Sequence, residues 1–129
     1  MMETSFADAP FHCPQDVVLD LPVPPSVNKT RRIDGAGKAL TAKWRTLAHG
    51  ILMAAGFRRR GTPIRRFQLW ITVSEDHTEQ DLDNPLKNLI DYLRLIEVVE
   101  NDARKNMREI HVVWGAAPEG CRVTVRPCA

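Results

Sequence analysis

The chain has 129 residues, of which 43% are hydrophobic and 26% are charged, and its formal net charge is +2. This length suits one domain with a hydrophobic core, and the composition is that of an ordinary globular domain rather than a disordered segment. No apolar run is long enough to cross a bilayer and no secretory signal pattern begins the chain, so we expect a cytoplasmic protein that does not engage membranes.

The cysteines give no sign of a structural bridge or a metal knuckle. Cys13, Cys121 and Cys128 are odd in number and show no CxxC spacing. Such a set argues against both a disulfide framework and a zinc site, so we expect reduced thiols.

The beginning of the chain predicts a tail followed by a strand. Residues 1–15 have no hydrophobic period and contain two prolines, which indicates a loose tail before a single domain over 16–129. Residues 17–23 alternate between apolar and polar side chains, which predicts a strand with one buried face. The prolines that follow end its pairing and lead into a loop that contains Asn28 and Lys29.

The next segments predict a hairpin and then a helix. The glycines of Asp34-Gly35-Ala36-Gly37 suit a tight turn between two strands. Thr41 is then placed to cap a helix that stops at Gly56. The apolar positions of this helix follow the 3.6-residue period: Trp44, Leu47, Ala48, Ile51, Leu52 and Ala55.

A second strand and a second helix flank a group of acids. Residues 67–73 alternate as a strand does, and the polar segment 75–80 reads as a loop. Asn84 and Pro85 suit the cap and the first position of a helix that runs to about Leu95. Its apolar residues recur at helical spacing, so it should pack against the sheet.

The last segments complete the predicted fold. Residues 107–114 and 121–126 alternate, and Pro118 and Gly120 between them predict a turn that joins the two strands as an antiparallel hairpin. The sequence therefore predicts an α/β (α+β) single domain with a mixed β-sheet and two helices packed against it.

Two acids stand just before the second helix. Asp81 and Asp83 fall in its predicted extended approach, where residues two apart point the same way with Cα atoms about 6.6 Å apart. The two carboxylates should therefore share one side of the chain.

Lys87 falls in the first turn of the same helix, where the macrodipole disfavours an exposed cation by roughly 0.3–1 kcal/mol. One explanation is an ion pair with Asp83 or Asp91, each four residues away. The other is a bound anion, since helix N–H groups and an ammonium favour a phosphate, and the neighbouring carboxylates favour a divalent metal bridging to it. Phosphate and metal together indicate phosphodiester chemistry.

Two motifs and one further acid resemble a known family over roughly residues 17–126. They are Asp81-x-Asp83-Asn84-x-x-Lys87, the earlier Pro24-Pro25-Ser26-Val27-Asn28-Lys29, and Asp102. This pattern resembles the RusA family of Holliday junction resolvases, whose members are often of prophage origin. The resemblance implies that Asp81, Asp83 and Asp102 bind Mg²⁺, with Mn²⁺ as a substitute, and that Lys87 assists at the scissile phosphate.

The resemblance also implies an activity and an assembly. It predicts a RusA-like, magnesium-dependent endodeoxyribonuclease that resolves four-way (Holliday) junctions by paired symmetric nicks, in DNA recombination and repair. Two nicks in opposing strands need two sites, whereas one chain carries one acidic cluster. A homodimer with two-fold symmetry would supply both.

Basic residues are clustered although the net charge is small. A phosphodiesterase needs cations to hold a polyanionic strand near acidic residues, so we predict that these clusters bind DNA. The predicted DNA-binding residues are Asn28 and Lys29, which the resemblance places beside the active site, and Arg31, Arg32, Arg58, Arg59, Arg60, Arg65 and Arg66.

Three other interpretations of the acidic segment differ in what they require of the sequence. An EF-hand would need Gly and Glu where this chain has Leu86 and Tyr92, which argues against a calcium loop. A nuclease for flaps or other branched DNA stays open, because the motif does not separate these substrates. A non-catalytic DNA-binding module also stays open, and it would bind without a divalent metal.

Overall fold

The structure is a computed structural model that describes residues 13–26 and 35–129. Strands and helices follow in the order β1, α1, β2, α2, β3, β4, with one turn of 3-10 helix after β2. Their bounds are β1 Val17–Leu21, α1 Ala36–Ala54, β2 Phe67–Val73, the 3-10 turn Glu75–His77, α2 Leu86–Leu95, β3 Met107–Trp114 and β4 Cys121–Pro127. Within the described ranges, no helix has both the length and the apolar character to cross a membrane.

The four strands form one mixed sheet in the order β1-β4-β2-β3. β4 runs antiparallel to both of its neighbours, whereas β2 and β3 are parallel. The predicted single domain with a mixed sheet and two helices is confirmed. The predicted hairpin between the last two strands is wrong, because β2 lies between them.

The connection from β3 to β4 passes over the end of β2 instead of closing a hairpin. The N–H of Gly115 donates to the carbonyl of Val73 at 3.0 Å, and the N–H of Ser74 donates to the carbonyl of Gly120 at 2.8 Å. Both ends of the connection are therefore held by the last residues of β2.

Burial explains why β4 takes a central position and β3 an edge. Val123 and Val125 of β4 are 0% exposed, whereas Ile110 and Trp114 of β3 are 40% and 39% exposed. A central strand can bury its apolar side chains between two neighbours, while an edge strand leaves part of its surface in water.

Both helices pack on the same face of the sheet. Residues of that face align across the four strands, as Leu19, Val123, Ile71 and Val112 do. The helices add these buried side chains to the core: Trp44, Ala48, Leu52, Leu89, Ile90, Tyr92 and Leu93. Burying one large apolar side chain contributes roughly 1.5–3 kcal/mol, so packing on the sheet holds α2 in place.

Helix α1 begins before its predicted cap. The predicted hairpin at residues 34–37 is wrong where the structure describes it, since Gly35 has a φ of 83° and the helix starts at Ala36. Thr41 lies inside the helix, where its hydroxyl donates to the carbonyl of Gly37 at 3.0 Å, so it is not the cap. The alanines and leucine of this segment favour a helix, and that preference outweighs the turn signal of the glycines.

A nearly buried ion pair anchors the start of β1. The predicted tail lies largely outside the described residues, but its last residues form a turn in which the N–H of Cys13 donates to the carboxylate of Asp16 at 3.1 Å. The side chain of Asp16 is 1% exposed and pairs with Arg126 of β4 at 2.9 Å.

Candidate functional site

The segment that carries the first two acids forms turns rather than the predicted extended approach. The N–H of Asn84 donates to the carbonyl of Asp81 at 3.1 Å, and that of Leu86 donates to Asp83 at 3.3 Å. Leu82 packs against the core, while Asp81 and Asp83 are exposed on either side of it. Packing of the partly buried Leu82 against the core thus leaves both carboxylates facing water.

The helix that follows starts one residue later than predicted. Pro85, with a φ of −83°, occupies the cap position, and Asn84 makes no side-chain cap. The carbonyl of Pro85 accepts the N–H of Leu89 at 3.0 Å, which is the first hydrogen bond of the helix. Proline suits this place because it lacks an N–H, and its carbonyl already serves the helix.

Lys87 lies between two carboxylates. Its Nζ is 2.9 Å from Asp102 Oδ2 and 3.2 Å from Asp91 Oδ1. Asp102 Oδ1 is also 3.6 Å from Arg94, and the backbone N–H of Asp102 donates to the side-chain oxygen of Asn101 at 2.8 Å. The ion pair with Asp91 was one of the two explanations for Lys87 drawn from sequence.

These contacts fix the charge of both partners. Hydrogen bonds to Asp102 and then to Asp91 raise the pKa of Lys87 above its ordinary value. The hydrogen bond from Lys87 lowers the pKa of Asp102. At neutral pH the site therefore holds the ammonium of Lys87 beside the ionised carboxylate of Asp102.

The chain must turn back after α2 to bring Asp102 to Lys87. Ile64 forms a parallel bridge with Val99, in which its N–H donates to Val98 and its carbonyl accepts from Glu100, both at 2.9 Å. Val98 and Val99 are almost fully buried. Apolar burial and this bridge direct the segment along the helix, so that Asp102 reaches the face that carries Lys87.

The carboxylates named by the resemblance are not gathered into one metal-binding group. Among residues 13–26 and 35–129, no group of three His, Cys, Asp or Glu side chains is placed to hold a metal ion. Carboxylate oxygens are the ligands that Mg²⁺ prefers, which suits the chemistry of Asp81, Asp83 and Asp102. Their role as metal ligands stays a prediction.

The described part of the proline motif, residues 24–26, contacts the acidic segment. The side-chain amide of Gln80 donates to the carbonyl of Pro24 at 2.9 Å, and that of Asn88 donates to Pro25 at 2.8 Å. Ser26 is buried and lines a cavity of about 960 Å³ together with Asp81 and Asn84. Two motifs that lie far apart in sequence therefore meet at one place.

Sequence reasoning missed Gln80 and Asn88, the residues that make these contacts. Asparagine is unfavourable inside a helix, so its presence directly after Lys87 in the predicted helix was the one sequence feature that could have drawn attention to Asn88. Nothing in the sequence pattern distinguished Gln80 from the other polar residues of its loop.

The predicted DNA-binding residues divide into three groups. Asn28, Lys29, Arg31 and Arg32 lie outside the described residues. Two arginines between α1 and β2 form exposed ion pairs, Arg59 with Glu97 at 2.7 Å and Arg65 with Glu100 at 3.4 Å. The remaining three, Arg58, Arg60 and Arg66, are exposed and have no ion-pair partner in the described part of the chain.

Comparison of the chain with models of known protein families and with curated proteins finds no match. The resemblance to the RusA family therefore rests on the two motifs and on Asp102.

Proposed function

We propose that this protein is a magnesium-dependent, structure-selective endodeoxyribonuclease that resolves four-way DNA junctions in the cytoplasm, in recombination and repair. The observation that supports this most is the convergence of the motif segments. Gln80 and Asn88 hold the proline motif, and Lys87 lies 2.9 Å from Asp102, a residue fifteen positions further along the chain. A solvent-exposed lysine beside carboxylates suits hydrolysis of a phosphodiester with a metal ion, because carboxylates can hold the ion and an ammonium can stabilise charge on the phosphate.

In this proposal the three aspartates hold the metal. Asp81, Asp83 and Asp102 would supply oxygen ligands, and bound Mg²⁺ would activate a water and neutralise charge on the phosphate. Two or three carboxylates leave room for several waters on the ion, as Mg²⁺ prefers. Mn²⁺ would substitute, since it accepts the same oxygen ligands.

Lys87 would act as a fixed positive charge. Its raised pKa keeps the amine protonated at neutral pH, so it can stabilise the negative charge that develops on the phosphate but cannot act as a general base. Its exposure of 44% leaves the ammonium accessible to a phosphate.

The proposed assembly is a homodimer. Resolving a junction requires two nicks in opposing strands, and each chain carries one set of Asp81, Asp83 and Asp102. A two-fold axis repeats one site on each subunit and closes the assembly. Sedimentation at micromolar protein measures this directly, and a monomer that still made paired symmetric cuts would refute it.

The decisive test is cleavage of labelled four-way junction, flap and linear duplex with and without Mg²⁺. Asp81→Asn and Asp83→Asn should abolish cutting while keeping or tightening binding of the junction, because a negative charge facing phosphate is removed. Glu119→Gln, which removes an exposed carboxylate outside both the motif and the lining of the cavity that Asp81 lines, is the control and should cut normally. If either motif variant cut at the wild-type rate in Mg²⁺, the assignment would be wrong.

A non-catalytic DNA-binding module is the second candidate. It is favoured by the absence of a three-carboxylate metal group among the described residues and by the ion pairs that already occupy Lys87. It predicts binding that is unchanged by chelators and no cleavage of any substrate. Cutting of flaps but not of junctions would instead favour a nuclease for other branched DNA.

A further inference from the structure

A basic cleft lies at the N-terminal end of β2, where it meets the start of β3 and the end of β4. Its volume is about 720 Å³. Five cationic side chains line it, and no acidic residue is part of its lining among the described residues. They are Arg60, Arg65, Arg66, Lys105 and Arg108.

The sheet topology brings these cations together from two distant segments. Parallel pairing of β2 with β3 sets Phe67 opposite Met107, and the N–H of Phe67 donates to the carbonyl of Asn106 at 2.9 Å. The N–H of Cys128 donates to the carbonyl of Arg66 at 3.0 Å. The loop before β2 and the turn before β3 therefore form two walls that are fixed to each other.

Most of the positive charge in the cleft is not neutralised. Arg60, Arg66 and Lys105 have no ion-pair partner within the part of the chain that the structure describes. Arg65 pairs with Glu100 at 3.4 Å, but its side chain is 80% exposed, so water weakens this interaction. The guanidinium of Arg108 donates to the backbone carbonyl of Arg104, and this uncharged acceptor does not neutralise it.

The floor of the cleft contains a buried polar side chain. Asn106 is 3% exposed, and its amide nitrogen donates to the carbonyl of Arg65 at 2.6 Å. Its Oδ1 is buried and accepts no hydrogen bond from the described residues. The sugar–phosphate backbone of DNA has no hydrogen-bond donor, so an ordered water in the cleft is the partner that would satisfy this buried acceptor.

We propose that this cleft binds the sugar–phosphate backbone of a duplex arm, with Lys105 and Arg108 as contacts in addition to the predicted arginines. This inference rests on the proposed function, since it gives the DNA substrate a path across the surface. Lys105 follows Asp102 by three residues, so their Cα atoms lie at most about 11 Å apart, or roughly three base steps along a strand. A strand in the cleft thus lies close to the Lys87–Asp102 pair.

The first experiment measures binding of a labelled duplex by fluorescence anisotropy in EDTA at several salt concentrations. Each phosphate neutralised on a duplex contributes a slope of about −0.9 in log K against log salt, which corresponds to roughly eightfold in affinity at 0.1 M salt. Lys105→Ala and Arg108→Ala should each show this loss and a shallower slope. Lys43→Ala, which removes one exposed charge from α1, is the control and should bind like wild type.

Equal binding by Lys105→Ala and Lys43→Ala would overturn the proposal. Competition with polyglutamate gives a second test. If polyglutamate displaced the labelled duplex as effectively as unlabelled DNA of the same total charge, the cleft would accept any polyanion, including an acidic protein segment, and the proposal would be overturned. Melting temperatures of the variants should match that of wild type, because both side chains are exposed.

The second experiment needs no substitution in the cleft. Cys128 lines it, whereas Cys121 is buried and burial raises its pKa to about 12, so Cys121 does not react. In a Cys13→Ser protein, saturating duplex should slow the reaction of Cys128 with a neutral maleimide severalfold. An unchanged rate at saturation would place the DNA elsewhere.

These outcomes are independent of the cleavage test. If the wild-type protein cuts junctions and Lys105→Ala binds duplex normally, the cleft proposal is refuted and the proposed nuclease activity stands. If the wild-type protein never cuts, Lys105→Ala lowers its affinity for DNA and bound duplex slows the reaction of Cys128, the nuclease proposal is refuted and the cleft proposal is supported.

Discussion

Replacing Lys87 separates its role in chemistry from its role in the fold. Lys87→Ala removes two ion pairs, to Asp102 at 2.9 Å and to Asp91 at 3.2 Å. The lysine side chain is 44% exposed, and exposed pairs contribute roughly 0.2–1 kcal/mol each. The substitution also removes a cation that the helix dipole disfavours by roughly 0.3–1 kcal/mol. The middle of these ranges gives a net loss of unfolding free energy of about 0.5 kcal/mol, and their extremes keep the loss below about 2 kcal/mol.

The expected loss of activity is much larger. Removing one electrostatic stabiliser of a transition state typically costs about 100-fold or more, so we expect cleavage of a labelled junction to slow by more than tenfold. A stability loss of about 1 kcal/mol lowers the melting temperature of a domain of this size by roughly 3–5 °C, which leaves the protein folded under assay conditions.

Asp91→Asn is the matched control, since it removes one partner of Lys87 and keeps the amine. It should lose a similar small amount of stability and retain nearly full cleavage. The assay is single-turnover cleavage in Mg²⁺ alongside thermal melting of each variant. If Lys87→Ala and Asp91→Asn lost activity equally, and in proportion to their loss of stability, Lys87 would be a structural ion pair and nothing more.

Two further predictions concern pH and a turn. The pKa of Lys87 is raised from 10.5, so the stability that Lys87 contributes is complete below pH 10.5 and is lost as the pH rises further. The pKa of Asp102 is lowered from 3.8, so the stability that Asp102 contributes is complete above pH 3.8 and is lost as the pH falls further. Thermal melts between pH 6 and 9 should therefore show no change from this pair, and Lys87→Ala should not alter the melting profile's shape in that range. At Gly120, φ is 113° and an added Cβ would lie 2.8 Å from a valine methyl, so Gly120→Ala should lower the melting temperature. Gly50→Ala in the middle of α1, where an added Cβ meets no atom within 4 Å, should instead raise stability by about 0.5–1 kcal/mol, and equal effects of the two would contradict this reasoning.

Local patterns in the sequence were sufficient for several elements. The alternation over residues 67–73 predicted β2, and the helical spacing behind Pro85 predicted α2 to within one residue of its start. The strands over 107–114 and 121–126 were also located correctly. These features follow from periods of two or 3.6 residues, which the chain displays without reference to any partner.

Local patterns failed where two signals competed over a short range. The glycines at residues 34–37 suggested a turn, yet α1 starts among them because its alanines and leucine favour a helix. The segment with Asp81 and Asp83 reads as extended, yet packing of the partly buried Leu82 on the core and two backbone hydrogen bonds fold the segment into turns.

The partners of each strand and the composition of the site were decided by the tertiary structure. Nothing local shows that β4 inserts between β1 and β2, because strand order depends on which arrangement buries Val123 and Val125 best. The same topology brings Lys105 to the arginines before β2, and the bridge between Ile64 and Val99 directs Asp102 to Lys87. Sequence periodicity shows which side of a helix or strand is apolar. It does not show which apolar sides pack together, because the free energy of burying apolar surface does not depend on how far apart two residues lie in the chain. Contacts between distant residues are therefore decided only by the tertiary structure.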